Sequence, residues 1–146
     1  MRKLVALAAA VAVGALVLAA LSAAGTRTVM GVNAKLTASE EVPKQVVKNT
    51  SAHGQFAGRL SGSKLTWTLT FTGLTGPATA AHIHLGAMGK AGNVVVPLCG
   101  PCKSPVKGTA TLTKALLKDL SVHKLYVNVH TAKNPNGEIR GQLAEH

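Results

Sequence analysis

The chain has 146 residues, enough for one ordinary domain with a single core, and it carries 16 basic against 5 acidic residues for a formal charge of +11. The basic residues are spread along its whole length, which favours loose contact with anionic polymers, envelopes or lipid headgroups. With one Trp, one Tyr and two Phe there is no stacking platform for a sequence-specific nucleic-acid reader, and no second domain fits.

Met1-Arg2-Lys3 is a short basic start, Leu4 to Leu21 is an almost unbroken apolar run, and Ser22-Ala23-Ala24 sets small residues before Gly25. This is the pattern of a secretory signal peptide over residues 1–24, leaving residues 25–146 as the mature domain in a secreted, periplasmic or cell-envelope location. The apolar run is also long enough to stay as an anchor, the one way in which the sequence would hold this chain within a membrane rather than against its headgroups.

From Val32 onward the chain reads as short strands between turn signals. Asn33 to Ala38 is a first strand, followed by a loop through Glu40-Glu41-Val42-Pro43. Gly54 to Leu60 and Lys64 to Thr72 predict a hairpin, and in its second arm Leu65, Trp67, Leu69 and Phe71 alternate with four threonines. That alternation predicts one core face, including Trp67 and Phe71, and one wet face.

Thr79 to Leu85 is a strand containing Ala81-His82-Ile83-His84, followed by a glycine-rich loop from Gly86 to Gly92. Alternate strand residues share a face, so His82 and His84 lie side by side, about 6 to 7 Å apart along the backbone. Asn93 to Leu98 predicts a buried valine-rich strand, and Gly108 to Thr113 is strand-like as well. Lys114 to Leu120 is the one short helix, with Thr113 as its N-cap. Lys124 to His130 and Glu138 to Leu143 then predict a hairpin across Asn134-Pro135-Asn136-Gly137, where Asn-Gly tolerates positive φ. About eight short strands and one short helix make this an all-β protein, a Greek-key sandwich or barrel of immunoglobulin-like or superoxide-dismutase-like type.

Three features carry possible chemistry. On the strand ending at His130, Tyr126, Asn128 and His130 share one face, so His130 can join His82 and His84 in a three-histidine site if the strands are neighbours. Three imidazoles suit Cu(II) or Zn(II), and the thiol-free, carboxylate-poor setting leans toward copper, with Tyr126 and Asn128 orienting the ligands. The competing reading has these rings bonded to backbone and to each other at a sheet edge. His53 is a conceivable fourth ligand, while His123 and His146 are bystanders by position.

The second feature is Cys99-Gly100-Pro101-Cys102. The same four residue types form the active site of thioredoxin-like oxidoreductases, where they open a helix, but here Lys103-Ser104-Pro105-Val106 and a strand follow. A local disulfide between Cys99 and Cys102 is therefore expected in an exported chain. Third, Glu138 and Arg140 lie two residues apart on one strand face and predict a solvated or cross-strand ion pair. Among the five carboxylates, Glu40, Glu41, Asp119, Glu138 and Glu145, no two are spaced as an evident acid and base, and neither a nucleophile elbow nor a phosphate loop occurs.

The blocks Ala81-His82-Ile83-His84, Val94-Val95-Val96, Gly108 to Leu112, Leu125 to Thr131 and Asn134 to Gln142 together resemble the CHRD family, named after chordin. The similarity runs from Leu36 to about Leu143. It implies a β-domain of the extracellular space, carried by bacterial relatives as a single exported domain with no established catalytic activity. Chordin's action on bone morphogenetic proteins belongs to a multidomain animal protein and does not transfer. The chain also shares a His-x-His strand with Greek-key copper-zinc superoxide dismutase. It departs where that enzyme places an aspartate on zinc, since the only aspartate here is Asp119 in the helix. The expectation is an exported, non-enzymatic module binding an extracellular or envelope partner, with copper binding through His82, His84 and His130 as the alternative.

Overall fold

A computed structural model describes residues 28–146. The expected signal segment lies outside them. Among the described residues, strands β1 (Val29–Thr37), β2 (His53–Ser61), β3 (Lys64–Thr72), β4 (Ala78–Leu85), β5 (Val94–Cys99), β6 (Val106–Thr111), β7 (Leu125–Thr131), β8 (Ile139–Gln142) and β9 (Ala144–Glu145) are accompanied by one α-helix, α1 (Lys114–Ser121), between β6 and β7. The main path of the sheet runs β5-β4-β7-β8-β1-β2-β3-β6, with β9 added on β1. These strands all pair antiparallel. Strands β5 and β6 approach each other, so the sheet curls into a nearly closed barrel. Neighbours distant in sequence, β4 with β7, β1 with β8 and β3 with β6, are joined by crossovers of the Greek-key kind.

The interior follows from period-two patterning. Leu65, Trp67 and Leu69 of β3 turn inward with Phe56 of β2 and Leu125, Val127 and Val129 of β7, all fully or almost fully buried. Phe56 and Trp67 stack with ring centroids 5.9 Å apart. Gly108 of β6 lies opposite Trp67, and a Cβ there would run into the indole, so the absent side chain gives the ring its room. Phe71 is only partly buried, because β3 runs out of the core at that end.

The helix forms where expected. Thr113 is extended, and its hydroxyl accepts from the Leu116 amide at 3.2 Å, satisfying one of the first-turn donors. Leu120 is the residue that α1 buries.

Two strands differ from expectation. β5 is an outer strand, with Val94 48 % exposed and only Val96 of its valines buried. An outer strand also tolerates Pro97, which has no amide to give to a ladder. β7 departs the other way, being buried at all seven positions. Its alternation of Leu, Val and Val with Tyr, Asn and His does not divide core from solvent. It divides an apolar interior from a second, polar layer on the outer face of β4, β7 and β8.

Candidate metal centre

Three segments roof that outer face. A short 3₁₀ turn, Ala38–Glu40, places Glu41 against β7, where the Asn128 amide donates to its carboxylate at 3.3 Å. The 86–92 loop is tied down by Gln142 donating to the Gly86 carbonyl at 2.9 Å and by Arg140 donating to the Ala87 carbonyl at 3.1 Å. The turn after β7 supplies the Pro135 and Asn136 carbonyls, which accept from His130 Nδ1 at 3.0 Å and Asn128 Nδ2 at 3.4 Å.

Under this roof β4 and β7 pair in a register that sets His82 opposite Asn128 and His84 opposite Tyr126, with His130 opposite Ala80. All three imidazoles therefore emerge on one face. One ring nitrogen from each lies within 4.8 Å of the other two. His82 Nδ1 and His130 Nε2 are 3.2 Å apart. Two ligands with bonds of about 2.0–2.1 Å to one ion sit about 2.9 Å apart at a right angle and about 3.3 Å apart at a tetrahedral angle, so this pair already has a ligand spacing. Opposite ligands reach about 4.2 Å, so a pair at the 4.8 Å limit needs to close by only about half an ångström.

The remaining nitrogens fix the tautomers. His84 Nδ1 faces the Gly92 carbonyl at 3.0 Å and His130 Nδ1 faces that of Pro135, so both must donate there, leaving each Nε2 with a lone pair directed into the cluster. His84 Nε2 is buried and has no hydrogen-bond partner. Anchoring the far nitrogen on a carbonyl is how proteins orient imidazole ligands and raise their basicity. His82 is half-buried; with no ion its Nδ1–H donates to His130, and ligation by Nδ1 requires that proton on Nε2.

Burial keeps these rings neutral. It pushes His130 down to about 4 despite the opposing bond to Pro135, with His82 and His84 adding repulsion. Burial also lowers His84, where the Gly92 bond opposes and Arg140 contributes, and lowers His82, where His84 contributes. Neutral imidazole is the form that binds metal, so protons compete weakly near neutral pH.

The polar layer extends behind the histidines. Tyr126 stacks on His84 at 4.9 Å between centroids, and its hydroxyl accepts from the Gly92 amide at 3.1 Å. The Arg140 guanidinium lies 3.5 Å from the Tyr126 ring centre, a cation–π contact. Arg140 and Glu138 are both buried but take different partners, which corrects the expected ion pair. The Glu138 carboxylate instead accepts from Asn49 Nδ2, the Thr75 amide, and the Thr75 and Thr131 hydroxyls at 2.6–2.9 Å.

The rings are bonded to backbone carbonyls and to each other, as the competing reading expects, but not on a sheet edge, since β4 is flanked by β5 and β7. His53 is exposed on β2 with Nδ1 at the Ser51 carbonyl, which removes it as a fourth ligand. His123 and His146 are also elsewhere, facing the Leu143 carbonyl and Asn33. Cys99 and Cys102 form the disulfide, in the connection between β5 and β6, with no helix following directly. Sequence reasoning missed Glu41 and Arg140, whose burial in this layer has no local signature.

The CHRD domain family model matches residues 32–143. The chain belongs to the CHRD domain family. No curated protein and no solved structure matches it. The matched span of the CHRD domain runs from β1 through β8 and so contains both the histidine cluster and its roof.

Proposed function

We propose that this CHRD domain is an exported copper-binding protein that holds one Cu(II) through His82, His84 and His130 and handles the metal without catalytic turnover. The observation that carries this reading is the preparation of the three rings. Their nitrogens converge within 4.8 Å, and two of the three are oriented by backbone carbonyls. An all-imidazole set with no thiolate or carboxylate favours copper over zinc or harder ions. The half-buried His82 leaves an approach for the ion from solvent. Export rests on the Met1–Ala24 segment, and absence of turnover on the resemblance to bacterial single-domain relatives, which have no established catalytic activity.

Titration of metal-free protein with Cu(II), followed by d–d absorption and electron paramagnetic resonance, tests the site. One equivalent should bind with nitrogen hyperfine structure, and the double variant His82→Ala, His130→Ala should lose it. Absence of binding in the wild type, or unchanged binding in the double variant, refutes the assignment.

A second reading, contact with an anionic extracellular or envelope polymer, is favoured by β2, β3 and β6. Together these strands carry Arg59, Lys64 and Lys107 and no carboxylate. Retention on an anionic polymer that survives high salt supports a specific partner, and complete loss reduces it to diffuse charge attraction.

A further inference from the structure

Glu41 is wholly buried, an uncommon place for a carboxyl group with no basic side chain bonded to it. One oxygen accepts from Asn128 Nδ2, and the other, Oε1, is buried with no partner. Asn128 stands between two strands' worth of the site: across β4 it faces His82, across β8 it faces Arg140, and on its own strand it is flanked by Tyr126 and His130. Glu41 is thus bonded to a neutral amide whose residue pairs with His82 across the sheet and lies two positions from His130 on β7. Gly137 completes the fit, because a Cβ there would come within 2.5 Å of both the Asn128 amide and the Glu41 carboxylate.

The charges around Glu41 come from every element packed on it. Arg140 of β8 attracts the ionised form, Glu138 repels it, and the Val42 amide and Asn128 offer it hydrogen bonds. Glu40 precedes it in the chain, and the neutral His82 and His130 rings flank Asn128. Burial outweighs the favourable contacts and raises the Glu41 carboxyl to about 8, so it is uncharged at neutral pH. Metal binding would change that balance. A dication on the histidines, next to the buried Arg140, adds positive charge where the ligands themselves supply no anion and the Glu138 carboxylate is already committed to Asn49, Thr75 and Thr131.

We infer that Glu41 is the charge-compensating residue of this site, giving up its carboxyl proton to solvent when a divalent ion binds the three histidines. This rests on the metal reading. The step balances as one carboxylic acid and one aqueous dication going to one carboxylate, one bound dication and one released proton, with no redox change. Glu41 acts through space, as a charge partner rather than a ligand.

The test counts protons. Metal-free wild type and Glu41→Gln are titrated with copper(II) sulfate in a pH-stat at pH 7, with affinities measured from pH 6 to 9. Glutamine keeps an oxygen for the Asn128 amide, and circular dichroism checks the fold. Wild type should release about one proton more per copper than the variant, and its affinity should rise roughly tenfold per pH unit from 6 to 8, then flatten. Glu41→Gln should bind roughly tenfold more weakly at pH 7, without that slope. Ionisation of copper-bound water contributes equally to both and cancels. Equal proton counts, or a flat wild-type affinity over pH 6 to 8, overturn the inference and leave the metal reading standing. Absence of copper binding in the wild type removes both.

Discussion

Replacing Glu138 removes the anion that ties three separate segments together. Its carboxylate accepts four hydrogen bonds, two per oxygen, from Asn49 in the loop after β1, from Thr75 before β4, and from Thr131 at the end of β7. Burial pushes its pKa up, but the bonds from Thr131, Thr75 and Asn49 together hold it below the usual carboxylate value. In Glu138→Gln the amide oxygen can keep the Asn49 and Thr75 backbone donors, and the two threonine hydroxyls can turn to accept. What goes is charge assistance, about 1 kcal/mol per bond, so a loss of about 2–4 kcal/mol is expected. Glu138→Ala also strands the Thr75 amide and Asn49 amide, and the loss should reach about 4–5 kcal/mol. Urea unfolding at pH 7, followed by fluorescence of the single Trp67, measures both. The sign with pH is definite: a depressed folded pKa gives stability that is full above about 4.5 and lost as pH falls through the lower folded value. Glu138→Gln should lack that acid-limb contribution. A Gln variant within about 0.5 kcal/mol of wild type, with the same acid limb, would refute the role of the charge.

Glu41 works in the opposite direction. Its folded pKa of about 8 lies above the ordinary 4.5, so metal-free protein should lose stability as pH rises from 4.5 to 8 and level off beyond, while Glu41→Gln shows no such decline in urea midpoint. His130, held at about 4 in the fold, should make the metal-free protein less stable as pH drops from 6.5 to 4. A His130→Ala variant in which that slope persists undiminished contradicts the assignment. Gly137→Ala meets a backbone φ of +134° and the Asn128 and Glu41 side chains at once. It should cost about 2–4 kcal/mol, read as a lowered melting temperature, and an unchanged melting temperature would show that the turn can move away.

The strands were legible because their signals are local. Four alternating apolar residues of β3, the Asn-Gly turn before β8 and Thr113 at the helix start each announce themselves within a few residues. The His-x-His pair and the shared face of Tyr126, Asn128 and His130 were equally readable, and so was the condition for a site, that β4 and β7 be neighbours. What sequence could not supply was the roof. Whether Asn128 and Arg140 face water depends on the segment around Glu41, and Asn128 and Glu41 are 87 positions apart. Charged residues ordinarily lie outside, so Glu138 and Arg140 read as a solvated pair until a second covered face is known. The same gap in information made β5 look like a core strand, since its valines do not reveal that nothing pairs beyond it.

Strand β1 bonds to β2 along its whole length, yet Thr37 also meets Arg140 of β8, near the opposite end of the chain. Such long-separation pairings are slow to form, because the closure entropy comes before the contacts that repay it. The histidines, Glu41 and the 86–92 loop meet only when β4 has found β7 and β1 has found β8. A half-folded chain therefore has the imidazoles but not their arrangement, and its affinity for an ion should resemble that of a loose peptide. Tight binding would be a late event in folding, and the ion would then act as a latch on the finished barrel, holding closed the pairings that took longest to make.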